Sequence, residues 1–125
     1  MDMNLNEIIV NGEKYIKASQ VNQPPVQLDG KTYCIVRTYS AGVFAGYIDR
    51  KSVKDQCATI FNSRRIWYWE GAASLSQLAT DGTSNPSGCK FPCEVVETDL
   101  ANIIEVIVCT EKAKDSISEV PVWQK

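Results

Sequence analysis

The chain has 125 residues, 44% of them hydrophobic and 22% charged, with a formal net charge of −2 and no histidine. That size and mix suit one domain with a modest core, and no apolar run approaches the length needed to cross a bilayer as a helix. Without histidine no cysteine has its usual activating partner and a zinc site lacks a common ligand, so nucleophilic and metal chemistry are both disfavoured.

The start, Met1-Asp2-Met3-Asn4-Leu5-Asn6-Glu7, has neither the basic residues nor the long apolar stretch of a signal peptide, which points to a cytoplasm. Residues 7–17 place Asn11-Gly12 between two β-prone runs, a strong hairpin signal. From Ala18 to Gln27 the chain reads as a linker, because Pro24-Pro25 cannot continue a central strand. Residues 1–30 are therefore expected to form an N-terminal hairpin and linker extension, and residues 31–125 a single α+β domain.

Asp29-Gly30 turns the chain into a strand over Thr32 to Tyr39. Ser40-Ala41-Gly42 turns it back through Val43 to Ile48, and Asp49 to Asp55 is a charged loop. Gln56 to Phe61 reads as the next strand, turned by Asn62-Ser63 into Arg64-Arg65-Ile66-Trp67-Tyr68-Trp69. In an extended chain Arg65, Trp67 and Trp69 share one face, and Arg64, Ile66 and Tyr68 the other. An arginine beside a tryptophan can grip a planar anion through charge and cation–π contact.

Gly71-Ala72-Ala73 is a turn of small residues leading to a helix capped by Ser74, with Gln77 as the reciprocal member of a capping box and Gly82 as its end. The N–H groups around Gly71, Ala72 and Ser74 offer an anion site. Thr83 to Gly88 is a loop, and after it comes Cys89-Lys90-Phe91-Pro92 with one cation and one aromatic ring. Glu94 to Thr98 is a short strand, and Ile103 to Cys109 a strand apolar enough for a sheet interior. Thr110 caps a helix over Glu111 to Ile117, and the extended tail Val120-Pro121-Val122-Trp123 ends in a tryptophan costly to leave wet. The sum is an α+β fold, an antiparallel β meander with one or two short helices.

Five cysteines are an odd count, and Cys34, Cys57 and Cys109, which lie in apolar runs, read as free buried thiols. Cys89 and Cys93 form a C-x-x-x-C pair with no second pair beside it, so neither metal nor cofactor is expected. Charge is uneven. Lys31 to Arg65 holds seven basic residues against two acids, and Glu94 onward seven acids against three lysines. That split argues against broad nucleic-acid binding but allows a local anion pocket. Together with the detached hairpin and the tail, it also points to a homo-oligomer.

The segments Val36 to Tyr47, Arg64 to Leu78, Cys89-Lys90-Phe91-Pro92 and Val120-Pro121-Val122-Trp123 resemble a family of small phage and prophage proteins long catalogued as a domain of unknown function. The resemblance runs from about Lys31 to the C-terminus. In size and β-rich makeup the chain is also similar to the Thoeris anti-defence sponges, which sequester cyclic ADP-ribose isomers without cleaving them, some binding cyclic oligonucleotides as well. This likeness implies a phage anti-defence protein of the host cytoplasm, acting as a dimer or hexamer on a small cyclic nucleotide signal. The alternative is a structural or single-stranded nucleic-acid-binding phage protein using its aromatics as stacking plates. No catalytic role is expected. By chemistry alone, phosphates fall to Arg37, Arg64 or Arg65, and Lys90. The base falls to Trp67, Trp69, Tyr39 or Phe91, with N–H groups near Gly71, Ala72 and Ser74.

Overall fold

The structure is a computed structural model and describes residues 26–125, so the hairpin expected over residues 7–17 lies outside the described residues. The sheet begins at β1 (Gln27–Leu28), a little before the boundary expected at residue 31, and Asp29-Gly30 turns it into β2 (Lys31–Thr38). Both turn residues have positive φ, 53° and 78°, as the tightest hairpin turns require. β3 (Val43–Ile48), β4 (Ala58–Arg65) and β5 (Val95–Leu100) add in sequence to make an antiparallel meander. β6 (Ile103–Val108) returns to pair with the other side of β2, completing six strands.

β5 and β6 thus stand at opposite ends of the strand order, yet only Ala101-Asn102 separates them. The sheet must roll to bring its ends together. Ile103 N–H donates to the Gln56 carbonyl at 2.8 Å, and Tyr39 N–H to that of Asn102 at 2.9 Å. Rolling creates two cores, one on each face. Cys34, Val36, Phe44, Ile48, Ile60, Leu100 and Ile103 fill the concave one. Tyr33, Ile35, Ala45 and Ile66 meet two helices, α1 (Leu75–Asp81) and α2 (Glu111–Glu119), on the convex one. Even and odd residues of β2 therefore both go inside, which is why Tyr33-Cys34-Ile35-Val36 is unbroken in its apolarity.

Three expectations are corrected. Asn62-Ser63 is not a turn, because the chain from Ala58 to Arg65 is one strand. Asn62 takes φ 51° as a bulge, and it faces Gly46. A Cβ at Gly46 would stand 2.8 Å from the Phe61 carbonyl oxygen, so glycine is what lets the bulged backbone close in. β6 is not interior but pairs with β2 alone, leaving Ile104 and Glu105 exposed. Cys57 is exposed in the turn Lys54 to Cys57, whereas Cys34 and Cys109 are buried free thiols.

Both helix caps form as expected. The Ser74 hydroxyl accepts from Gln77 N–H at 3.2 Å, and that of Thr110 from Ala113 N–H at 3.1 Å. Gln77 Oε1 takes the N–H of Ala73, one residue upstream of the cap itself, at 2.7 Å. No helix among the described residues is long and apolar enough to cross a membrane.

Candidate functional site

β4 stops at Arg65, and the path of the chain beyond it decides where each candidate residue lies. Ile66 N–H still bonds the Val43 carbonyl, but Trp67 and Tyr68 N–H both turn to the carbonyl of Lys90, at 3.2 and 3.4 Å. Lys90 N–H returns a bond to the Tyr68 carbonyl at 2.7 Å. This single bridge sets the Lys90 side chain beside the aromatic run. One residue on, the Phe91 carbonyl accepts from Trp123 N–H at 3.0 Å, drawing the C-terminal tail to the same place.

Trp123 stacks on Trp67, with ring centroids 5.1 Å apart and planes 24° from parallel. The Lys90 ammonium lies 5.6 Å from the Trp67 centroid, 5.7 Å from that of Tyr68 and 5.6 Å from that of Trp123. All three rings are exposed, Trp67 by 59% of its surface. Large aromatics so placed give up much of the burial that normally repays them. Among the described residues no carboxylate lies within ion-pair distance of Lys90. The result is an open platform of aromatic faces with one positive charge at its centre.

Arg64 is built differently. It is 5% exposed and spends its guanidinium on main-chain carbonyls: Pro92 (3.1 Å), Ile117 (2.9 Å), Val120 (2.8 Å), Phe91 (2.7 Å) and, more weakly, Pro121 (3.5 Å). Burial pulls its pKa below the ordinary value, with Tyr33 and Glu94 opposing, yet an arginine so far above neutrality stays charged. Arg64 clamps the end of α2 and the tail to the sheet, and it has little left to offer a ligand. Phe91 is fully buried beneath it, with its ring centroid 5.5 Å from the guanidinium carbon. It is a core residue, not a plate for a base.

The remaining candidates scatter. Trp69 is half-buried, packs against the helix-side core and donates its indole N–H to the Ala72 carbonyl at 3.2 Å. Arg65 is exposed but lies over Phe44, 4.5 Å from its centroid, and donates to the Ala41 carbonyl at 2.6 Å. Arg37 pairs with Glu105 at 3.0 Å on the surface, and Tyr39 stands 80% exposed in the β2–β3 loop. The Gly71 turn is sewn to the next loop. Ser84 N–H and hydroxyl both donate to its carbonyl, and a Cβ at Gly71 would collide with Thr83 and Asn85. The Ala73 N–H is already taken by Gln77 Oε1, and the Ser74 hydroxyl accepts from Gln77 N–H. Gly71 instead edges a cleft of about 410 Å³ with Asp81, Ser84 and Lys112.

Of the residues read from the sequence, Trp67 and Lys90 come together; Tyr68 and Trp123 join them unforeseen. Strict alternation put Tyr68 on the face opposite Trp67, but the strand ends at Arg65, too early for that rule to reach it. The signal for Trp123 was present, as a tryptophan in an extended tail, but its partner was not. Tyr68 also donates its hydroxyl to Glu70 at 2.7 Å, which pushes the phenol above its ordinary pKa. Glu70 in turn accepts from the Asn85 amide at 3.0 Å. Among the described residues no group of three or more Asp, Glu or Cys is placed to hold a metal.

No curated protein and no solved structure matches the chain. A family model does match residues 31–117, starting where the sequence resemblance starts and taking in Trp67, Tyr68 and Lys90 but stopping short of Trp123. The chain belongs to that family, the domain of unknown function DUF6948.

Proposed function

We propose that this protein binds a small planar anion of the nucleotide class on the Trp67–Tyr68–Lys90–Trp123 platform and holds it without converting it. The observation that carries the reading is the Lys90 ammonium, set 5.6–5.7 Å from three exposed aromatic rings. Indole faces accept a base by stacking, and the ammonium accepts its phosphate. The resemblance in size and β-rich makeup to Thoeris anti-defence sponges suggests sequestration as the purpose, with a cyclic ADP-ribose isomer or a cyclic oligonucleotide as the signal removed. On this reading the protein is phage-encoded, works in the host cytoplasm and assembles as a homo-oligomer.

The test is incubation of purified protein with a cyclic ADP-ribose isomer, then heat denaturation and chromatography of the supernatant. Recovery of intact ligand, in proportion to protein, is the expected outcome. A shortened product would make the protein an enzyme, and an empty supernatant would remove the ligand class. The same platform could serve a single strand of nucleic acid, and salt separates the two. A strand binder loses affinity steeply as salt rises, whereas a site with one lysine loses little.

A further inference from the structure

We infer that the Trp67–Trp123 pair is the binding slot itself, seen closed on its own tail: a nucleotide base enters between the two indoles, Trp123 swings outward, and the phosphate meets Lys90. This rests on the proposed nucleotide binding and adds the slot, the ligand's orientation and the moving part.

The ring geometry is the first support. The indoles stack with centroids 5.1 Å apart and planes 24° from parallel, so they are splayed rather than in full face-to-face contact. The position of the charge is the second. Lys90 is equally distant, at 5.6 Å, from both indole centroids, which puts its ammonium on the plane midway between the rings. Its distance from the Tyr68 centroid is nearly the same, 5.7 Å, so the ammonium favours no one ring and stays within reach of an anion attached to a base in the seam.

The third support is the graded fastening of the tail. Val120 is buried, and Arg64 grips its carbonyl at 2.8 Å and that of Ile117 at 2.9 Å. Beyond it, residues 121–125 are all exposed. The Arg64 bond to Pro121 stretches to 3.5 Å, and beyond it the tail is tied by one isolated parallel bridge between Val122 and Phe91, with Trp123 N–H donating to the Phe91 carbonyl. A firm root and a light tip are what a hinged arm needs. Opening gives up one indole–indole contact and gains two indole–base contacts, so a planar ligand drives the exchange and a non-planar anion does not.

The experiment uses the full chain and a cyclic ADP-ribose isomer as probe, read by calorimetry and by the exciton-coupled circular dichroism of the stacked indoles. Binding should abolish the couplet in step with occupancy. Trp123→Ala should weaken binding by roughly five- to a hundredfold, the worth of one base–aromatic stack, and Trp123→Phe should restore most of it. Melting of the unliganded variants should stay near that of the parent, since the ring is outside both cores. Binding with the couplet intact, or undiminished or tighter binding by Trp123→Ala, would overturn the slot and leave the nucleotide reading standing. Failure of the parent protein to bind would overturn both.

Discussion

Arg64 and Lys90 each lie over aromatic rings, and each helps hold the C-terminal tail, but their surroundings differ in kind. Arg64 is buried, and carbonyl oxygens accept from all three of its nitrogens. Lys90 is exposed, and its neighbours are π faces that attract a cation without hydrogen-bonding it fully. A buried charge must be matched in place or the fold fails, so its partners are committed. An exposed charge among aromatic rings keeps its capacity for an anion. That contrast makes Arg64 a structural cation and, on the proposed function, Lys90 the one that meets a ligand, though both sit at the junction of β4, the Cys89–Pro92 segment and the tail.

The sharpest way to break that division is Arg64→Met. Methionine keeps much of the apolar stem but leaves the carbonyls of Pro92 and Val120 without a donor in a dry site, and those of Phe91 and Ile117 with only the N–H groups of Trp123 and Val120. The expected loss is about 3–5 kcal/mol of unfolding free energy, measured by urea denaturation. In a domain of this size that lowers the melting temperature by more than 10 °C, on the order of 4–8 °C for each kcal/mol. A melt within 2 °C of the parent, roughly half a kcal/mol by the same scale, would show that the clamp is ornamental.

The next effect, smaller for each group and confined to the interior, comes with alkaline pH. Burial pushes the Cys34 thiol up to about 11 and the Cys109 thiol up to about 12, and it raises Tyr33 as well. Each is an acid whose folded pKa exceeds its unfolded one. The stability linked to its protonated form is therefore complete below about pH 8.5, the ordinary thiol value, and is lost as pH rises toward the folded values. Each thiol contributes a slope of up to roughly 1.4 kcal/mol per pH unit in that window. Urea midpoints at pH 8 and pH 10.5 should differ accordingly, and Cys34→Ala should flatten the slope. A slope unchanged by Cys34→Ala would mean that the concave core opens to water.

The difference between the two cations was only half legible in the sequence. Turn chemistry was local and could be read: Asp29-Gly30, Ser74 with Gln77, and Thr110 each behave as their residue types dictate. Lys90 and Trp67 could be nominated because charge and aromaticity are visible in one dimension. Arg64 could not be told from Arg65, since its acceptors are main-chain carbonyls, which leave no signature in the sequence. Asn62 was mistaken for a turn for a related reason. Asparagine takes a left-handed φ in turns and bulges alike, and the deciding residue, Gly46, lies across the sheet on another strand. Phe91 was misjudged because the tail that covers it arrives from the far end of the chain. The β5–β6 pair conceals the rolling of the sheet in the same way, as two residues of turn say nothing about which strands each partner will find.

The smallest expected stability effect is the most informative, because it tests the exposed side of the comparison alone. In Lys90→Met the main chain is untouched, so the paired bonds between Tyr68 and Lys90 and the route of the tail persist. The thioether side chain can still lie along the indoles. What disappears is the ammonium and its attraction to three rings, worth about 0.5–1 kcal/mol at an exposed site. Urea denaturation should therefore register a loss of no more than about 1 kcal/mol. Calorimetric titration with a cyclic ADP-ribose isomer should register far more, since a charge-assisted contact to phosphate contributes on the order of 1.5–3 kcal/mol, or roughly ten- to a hundredfold in affinity. The remaining binding should also depend less on salt than in the parent, because the charge that screening would weaken is gone. If Lys90→Met instead melts as early as Arg64→Met while binding normally, Lys90 is a second structural clamp. The ligand-facing charge must then be sought at Arg65 or Arg37, both of them exposed on the sheet.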